Sequence, residues 1–139
     1  LVQLRSYDET GTLKVVEFEL NPRLLLEEAK RGSFFSYAAG VIYHIIINNQ
    51  VDGIVIDNYQ TTLPMRKGLS SSAAFCVLVA RAFNLLYNLK LTTRGEMELA
   101  YRGEITTPSK CGRMDQCCAF GKVPVFMTFD GDFMECEPL

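Results

Sequence analysis

The stretch from Pro64 to Ala74 reads Pro-Met-Arg-Lys-Gly-Leu-Ser-Ser-Ser-Ala-Ala, and its residue types suit the binding of an anion. Gly68 permits a backbone conformation and a close approach that a Cβ would obstruct. Ser70, Ser71 and Ser72 bring three hydroxyls to the point where a helix start leaves backbone N–H groups without internal partners. Those donors, together with the positive end of the helix dipole, favour phosphate. Arg66 and Lys67 add charge at the entrance. The plainer reading is an ordinary serine N-cap, for which one Ser suffices. Three serines followed by Ala73 and Ala74 exceed that need, and the small alanines allow close packing or a bulky ligand. The loop is not a Walker A motif: G-x-x-x-x-G-K-[ST] occurs nowhere, and Gly121-Lys122 leads into a strand rather than a helix.

The pattern Pro64-x-x-x-Gly68-Leu69-Ser70-Ser71-Ser72-Ala73-Ala74 resembles the second signature motif of the GHMP kinases, the superfamily of galactokinase, homoserine kinase, mevalonate kinase and phosphomevalonate kinase. A separate stretch, Cys111-Gly112-Arg113-Met114-Asp115-Gln116, is similar to the segment that bears the catalytic aspartate in galactokinase-like members. Glu104 stands eleven residues before Asp115, similar to the spacing between the magnesium-binding glutamate and the catalytic aspartate of mevalonate kinases. The resemblance covers nearly the whole chain.

It implies an α+β fold, the N-terminal domain of a GHMP-type kinase, built as a ribosomal-protein-like sandwich of mixed sheet and helices. It implies that the loop from Gly68 to Ala73 wraps the phosphates of ATP, that Ser72 gives a hydroxyl and Glu104 a carboxylate to Mg²⁺, and that Asp115 lies beside the acceptor hydroxyl. Such a cation site, completed by phosphate oxygens and water, is chemically reasonable for Mg²⁺. The implied reaction is ATP-dependent phosphorylation of a small-molecule alcohol, with a sugar preferred because Cys111 to Gln116 looks like the galactokinase-type segment. Arg66 departs from the glycine that family members often have there, so the entrance to the loop differs in shape or charge. The bland alternatives are an exposed helix charge near Arg102 for Glu104, and for Asp115 a residue offsetting a helix dipole. Their joint spacing with the serine loop favours function. A second reading is a non-catalytic nucleotide or sugar sensor of the same fold, against which the presence of both Glu104 and Asp115 speaks. A third, a nucleic-acid-binding domain, is opposed by the chain's acidic balance.

Other candidates are weaker. His44 is the one histidine and lies in an apolar helical stretch, which favours a packed or rim residue. A Ser-His-Asp hydrolase would rest on it alone, and no G-x-S-x-G elbow is present. Cys117 and Cys118 are adjacent, diverge from a helix, and read as small core or near-site residues. The aromatics are spread along the chain rather than interleaved with a basic patch.

The elements that must position these residues follow from periodicity. Val2 to Tyr7 and Leu13 to Glu19 alternate as strands of a hairpin with Gly11 in the turn. Pro22 opens a short helix through Lys30, ended by Gly32, and Phe34 to Asn49 carries a helical period with Asn48-Asn49 as its stop. Gly53 to Tyr59 reads as a buried strand, and Ser70 to Tyr87 as a long helix with one apolar stripe. Thr93 to Glu96 fits a capping box that opens a helix to about Ile105, broken by Pro108. A short helix is expected near Gly112, then a hairpin of Val123 to Phe129 with Phe133 to Cys136 around Asp130-Gly131. Strands at both ends and helices between favour α+β over a doubly wound sheet.

With 139 residues, 48% hydrophobic and 22% charged, the chain is long enough for one real core and has a globular composition. A net charge of -2 lacks the footprint of a duplex-binding module. Five cysteines without CxxC spacing suit neither a disulfide framework nor zinc, and fit a reducing compartment. No apolar stretch is long enough to span a bilayer and no signal peptide is visible, so the expectation is a soluble, cytoplasmic protein without membrane or nucleic-acid partners. The chain opens at Leu1, within a strand. The resemblance would put the acceptor-positioning signature before Leu1 and the glycine-rich third signature beyond Leu139. Residues 1–139 are therefore expected to be one incomplete N-terminal ATP-binding domain.

Overall fold

A computed structural model describes residues 1–7, 10–33, 35–60, 71–109, 111–121, 123–131 and 133–139. Two strands come first, β1 (Val2–Tyr7) and β2 (Leu13–Phe18), followed by helices α1 (Pro22–Lys30) and α2 (Ser36–Ile46). Strand β3 (Ile54–Asn58) precedes helices α3 (Ser71–Tyr87) and α4 (Thr93–Thr106), a 3₁₀ helix (Asp115–Phe120), and strands β4 (Val125–Asp130) and β5 (Phe133–Pro138). Mixed sheet and helices in this order make the fold α+β, as the strand and helix patterns predict.

The first sheet has the order β2-β1-β3, antiparallel between β1 and β2 and parallel between β1 and β3. Alternation decides its faces: Val2, Leu4 and Ser6 of β1 and Ile54 and Ile56 of β3 are buried, with Leu4 in register with both Val16 and Ile56. On the outer face Arg5 and Asp57 are register partners and approach to 3.9 Å. Helix α2 is the centre of the helical layer and packs against α1, α3 and α4. Its Val41, Ile42 and Ile45 join Phe75, Val79 and Phe83 of α3 and the inner sheet residues in one core.

Local chemistry sets the ends. Asn21 caps α1 by accepting from the N–H groups of Arg23 and Leu24, with Pro22 at the first turn. Helix α2 runs to Ile46 and stops at the expected pair, where the Asn48 and Asn49 side-chain amides donate back to the carbonyls of His44 and Ile45. The cap of α4 is Thr92, not Thr93: its hydroxyl accepts from Gly95 N–H at 3.0 Å. Glu96 is then free of the expected capping box and turns inward. Thr107, extended before Pro108, closes α4 with its hydroxyl on the Glu104 carbonyl at 2.6 Å. The element expected near Gly112 begins at Asp115 and is 3₁₀ rather than α. In the second hairpin Asp130 pairs with Phe133, so the turn is shifted one residue on and Gly131, at φ +61°, supplies its left-handed position.

Candidate active site

Pro64, Arg66, Lys67, Gly68, Leu69 and Ser70 of the serine-rich loop lie outside the described residues. The segment enters the described structure at Ser71, the first residue of α3. Ala73 is buried and Ala74 half-buried, as close packing of the helix start requires. From the second helical position the Ser72 hydroxyl donates to Glu104 Oε2 at 2.7 Å.

Glu104 is only 3% exposed, which rules out the exposed helix charge that its sequence neighbourhood allows. Its place follows from how α4 crosses α2. Gly103 lies against Val41, where an added Cβ would stand 2.7 Å from the Val41 nitrogen, and Gly40 lies equally close to the Gly103 backbone. Two glycines let the helix backbones meet, and the next residue of α4 is carried into the interior facing α3.

The other carboxylate oxygen, Oε1, accepts from Gln116 Nε2 at 3.1 Å. The same amide nitrogen lies 3.7 Å from Cys111 Sγ. Gln116 is 1% exposed, and its Oε1 is buried without a hydrogen-bond partner. Among the described residues no lysine or arginine pairs with Glu104, and its two oxygens take hydrogen bonds from the neutral donors Ser72 and Gln116. Burial and the charge of Glu104 push the Cys111 thiol up to about 11, and the same two causes hold Cys76 well above the usual thiol range.

Asp115 is exposed at the first turn of the 3₁₀ helix, the sequence neighbour of the amide that holds Glu104. The far end of that helix is pinned by Arg81, whose Nη2 donates to the Ala119 carbonyl at 2.6 Å. Arg81 is itself held by Glu96 Oε1 at 2.9 Å, and Asn84 donates to Glu96 Oε2 at 3.0 Å. Arg113 of the Cys111-to-Gln116 stretch pairs with Glu98 and lies over the Tyr101 ring, 4.2 Å from its centroid. Ser72, Glu104 and the start of the 3₁₀ helix thus converge from three elements.

This donor set fits Mg²⁺. Among the described residues no three His, Cys, Asp or Glu side chains are grouped to hold a metal, so an all-protein cage is not available here. One hydroxyl, one buried carboxylate and one amide oxygen, the last two lacking respectively a cationic partner and a donor among the described residues, suit a hard cation that keeps waters and takes phosphate oxygens.

His44 stands apart. It is half-buried with Nε2 on Thr106 Oγ1 at 2.8 Å, and burial and Arg102 lower its pKa. Cys117 packs partly against the core, whereas Cys118 is exposed beside an open groove of about 880 Å³ that also borders β3, Ala74 and Arg81. Among the described residues no helix is long and apolar enough to cross a membrane.

Reasoning from sequence did not single out Gln116 or the Arg81–Glu96–Asn84 group. Gln116 was visible as the residue after Asp115, and Arg81 as a charge within an otherwise apolar stretch of α3.

A galactokinase of Pyrococcus furiosus is 32% identical to the chain over 112 residues, which are 78% of this chain and 31% of that protein. The chain thus spans about a third of the length of this relative. Residues 35–122 match the family model described as the GHMP kinases N terminal domain, a match that takes in α2, β3, α3, α4 and the 3₁₀ helix, and the chain belongs to the GHMP kinase family.

Proposed function

We propose that this chain carries the nucleotide and magnesium site of a small-molecule kinase that transfers the γ-phosphoryl group of ATP to an alcohol, a sugar by preference. The observation that carries this reading is the half-buried contact between Ser72 Oγ and Glu104 Oε2 at 2.7 Å, which joins the end of the serine loop to a carboxylate that has no cationic partner among the described residues. The preference for a sugar rests on the galactokinase relative and on the Cys111-to-Gln116 segment. Residues 64–74 bind the phosphates through backbone N–H groups at the start of α3, with Arg66 and Lys67 adding charge. Ser72 and Glu104 hold Mg²⁺, which when bound offsets charge on the phosphate oxygens. Asp115, exposed at the start of its helix, orients the acceptor hydroxyl and takes its proton late, as the bond to phosphorus forms. Few reactive side chains are needed, because positioning and charge stabilisation supply most of the rate.

Titrating Mg²⁺ at fixed ATP in the full-length protein tests this. Glu104→Gln is expected to raise the Mg²⁺ concentration needed for half-maximal turnover, and Ser72→Ala to raise it less. Wild-type metal dependence in Glu104→Gln would overturn the assignment.

A further inference from the structure

The orphaned oxygen of Gln116 is the feature the site description leaves unexplained. A buried polar atom without a partner costs stability, and native structures keep few of them. Which end of the amide faces Glu104 is fixed by chemistry. A carboxylate oxygen accepts, so the NH₂ group faces Glu104 Oε1 and the amide oxygen occupies the other arm of the fork. In that position Oε1 meets no donor among the described residues, although Gln116 is 1% exposed. A bound group that presents an O–H or N–H beside the amide holding Glu104 supplies that donor. A hydrated divalent cation does so: it is drawn to Glu104, and the waters it keeps are polarised donors.

We propose that Gln116 is a positioning residue of the cation site, its amide N–H holding Glu104 in place and its Oε1 accepting a hydrogen bond from a water on the bound divalent cation. The inference rests on the reading of Ser72 and Glu104 as Mg²⁺ ligands and adds a residue to their surroundings. It also gives the buried oxygen the partner it lacks among the described residues.

The test is Mn²⁺ binding to the full-length protein, followed by the electron paramagnetic resonance signal of the free ion, alongside thermal melts with and without Mn²⁺. Gln116→Met keeps the length and removes the amide. It is expected to weaken Mn²⁺ binding by about 10- to 100-fold, the scale of losing an outer-shell partner. Its metal-free melting temperature should stay at or above that of the wild type, because an unpartnered buried acceptor is gone. Wild-type Mn²⁺ affinity in Gln116→Met, or a metal-free melting temperature that falls while affinity holds, would assign Gln116 a packing role and overturn the proposal. Glu104→Gln separates the two levels. If it loses Mn²⁺ while Gln116→Met keeps it, only the role of Gln116 fails. If Glu104→Gln binds like the wild type, the metal-site reading fails and takes this proposal with it. Should Gln116→Met not fold, Gln116→Asn retains an amide drawn back by one methylene; weakened Mn²⁺ binding supports the proposal and unchanged binding contradicts it.

Discussion

Glu104 and Glu96 are both glutamates of α4, both nearly buried, and the sequence treats them differently from the way the fold does. Glu104 was legible because its distance from Asp115 matches a family spacing, and the structure brings it to Ser72 from 32 residues away. Glu96 was misread as a helix cap, because Thr93 stands three residues before it and local spacing says nothing about a partner on another helix. Its actual partners, Arg81 and Asn84, sit on α3 and become neighbours only through tertiary packing. Gln116 escaped notice for the same reason. Cys111 offers a measurement at this scale. Burial and the nearby Glu104 charge raise its thiol to about 11, so the neutral form is favoured in the fold and the thiolate, the reactive species, is scarce at pH 8. Alkylation of Cys111 by iodoacetamide, mapped by peptide mass, is expected to be slow at pH 8 and to accelerate up to about pH 11. The sign for stability follows: the contribution is intact below the unfolded thiol value of roughly 8.5 and is lost as pH climbs through about 11. Fast alkylation at pH 8 in the folded protein would contradict the assignment of Cys111 to the Glu104 cluster.

At the level of elements, strand and helix patterns located nearly every segment, since alternation and the 3.6-residue period report directly which face is buried. The stop at Asn48 and Asn49 is legible in the sequence, whereas ends that a single side-chain bond decides are less so, as at Thr92. The crossing of α2 and α4 was not legible at all. Gly40 and Gly103 look like isolated helix glycines, each unfavourable relative to alanine, until their backbones are seen to touch. Gly103→Ala forces its Cβ toward Val41, 2.7 Å from N and 2.8 Å from Cα, so the helices must part and Glu104 must shift. The expected loss is about 3 kcal/mol in a urea melt, the scale of overpacking a tight core contact. Stability equal to wild type would show that α4 can slide without cost. The bond from Arg81 to Ala119 gives a second case. Glu96→Ala leaves Arg81 and the Asn84 amide without their carboxylate, and because Arg81 is partly solvated the expected loss is about 2 kcal/mol rather than the full penalty of a broken buried pair. A loss under about 0.5 kcal/mol, the range of an ordinary surface change, would place the group outside the stability of the fold.

Across the whole molecule, the mixed sheet and the helical layer follow from alternation and the helical period. The family assignment follows from the match over residues 35–122, which takes in both motifs, Pro64 to Ala74 and Cys111 to Gln116. What those motifs do not carry is the identity of the acceptor, and the chain spans 31% of the galactokinase it resembles. The His44–Thr106 contact bears on the molecule's acid response, because burial and Arg102 lower the histidine below its usual value. A base depressed in the fold contributes stability above roughly pH 6.5 that is lost as pH falls through its folded value. His44→Gln is therefore expected to flatten the fall in melting temperature below about pH 6.5. An unchanged slope would show that His44 does not set it.

The proposed phosphoryl transfer depends on Asp115 beside the acceptor hydroxyl. Asp115→Asn keeps the size and one hydrogen-bond acceptor while removing the charge. The measurement is kcat and ATP affinity, side by side, in full-length wild type and Asp115→Asn with Mg²⁺ and galactose, the sugar that the relative's name points to. The account predicts nearly intact ATP affinity with kcat lowered by about 10²-fold or more, the scale of losing a general base. A variant that turns over within a few-fold of the wild type, or a wild type that binds ATP and phosphorylates no sugar, would contradict it.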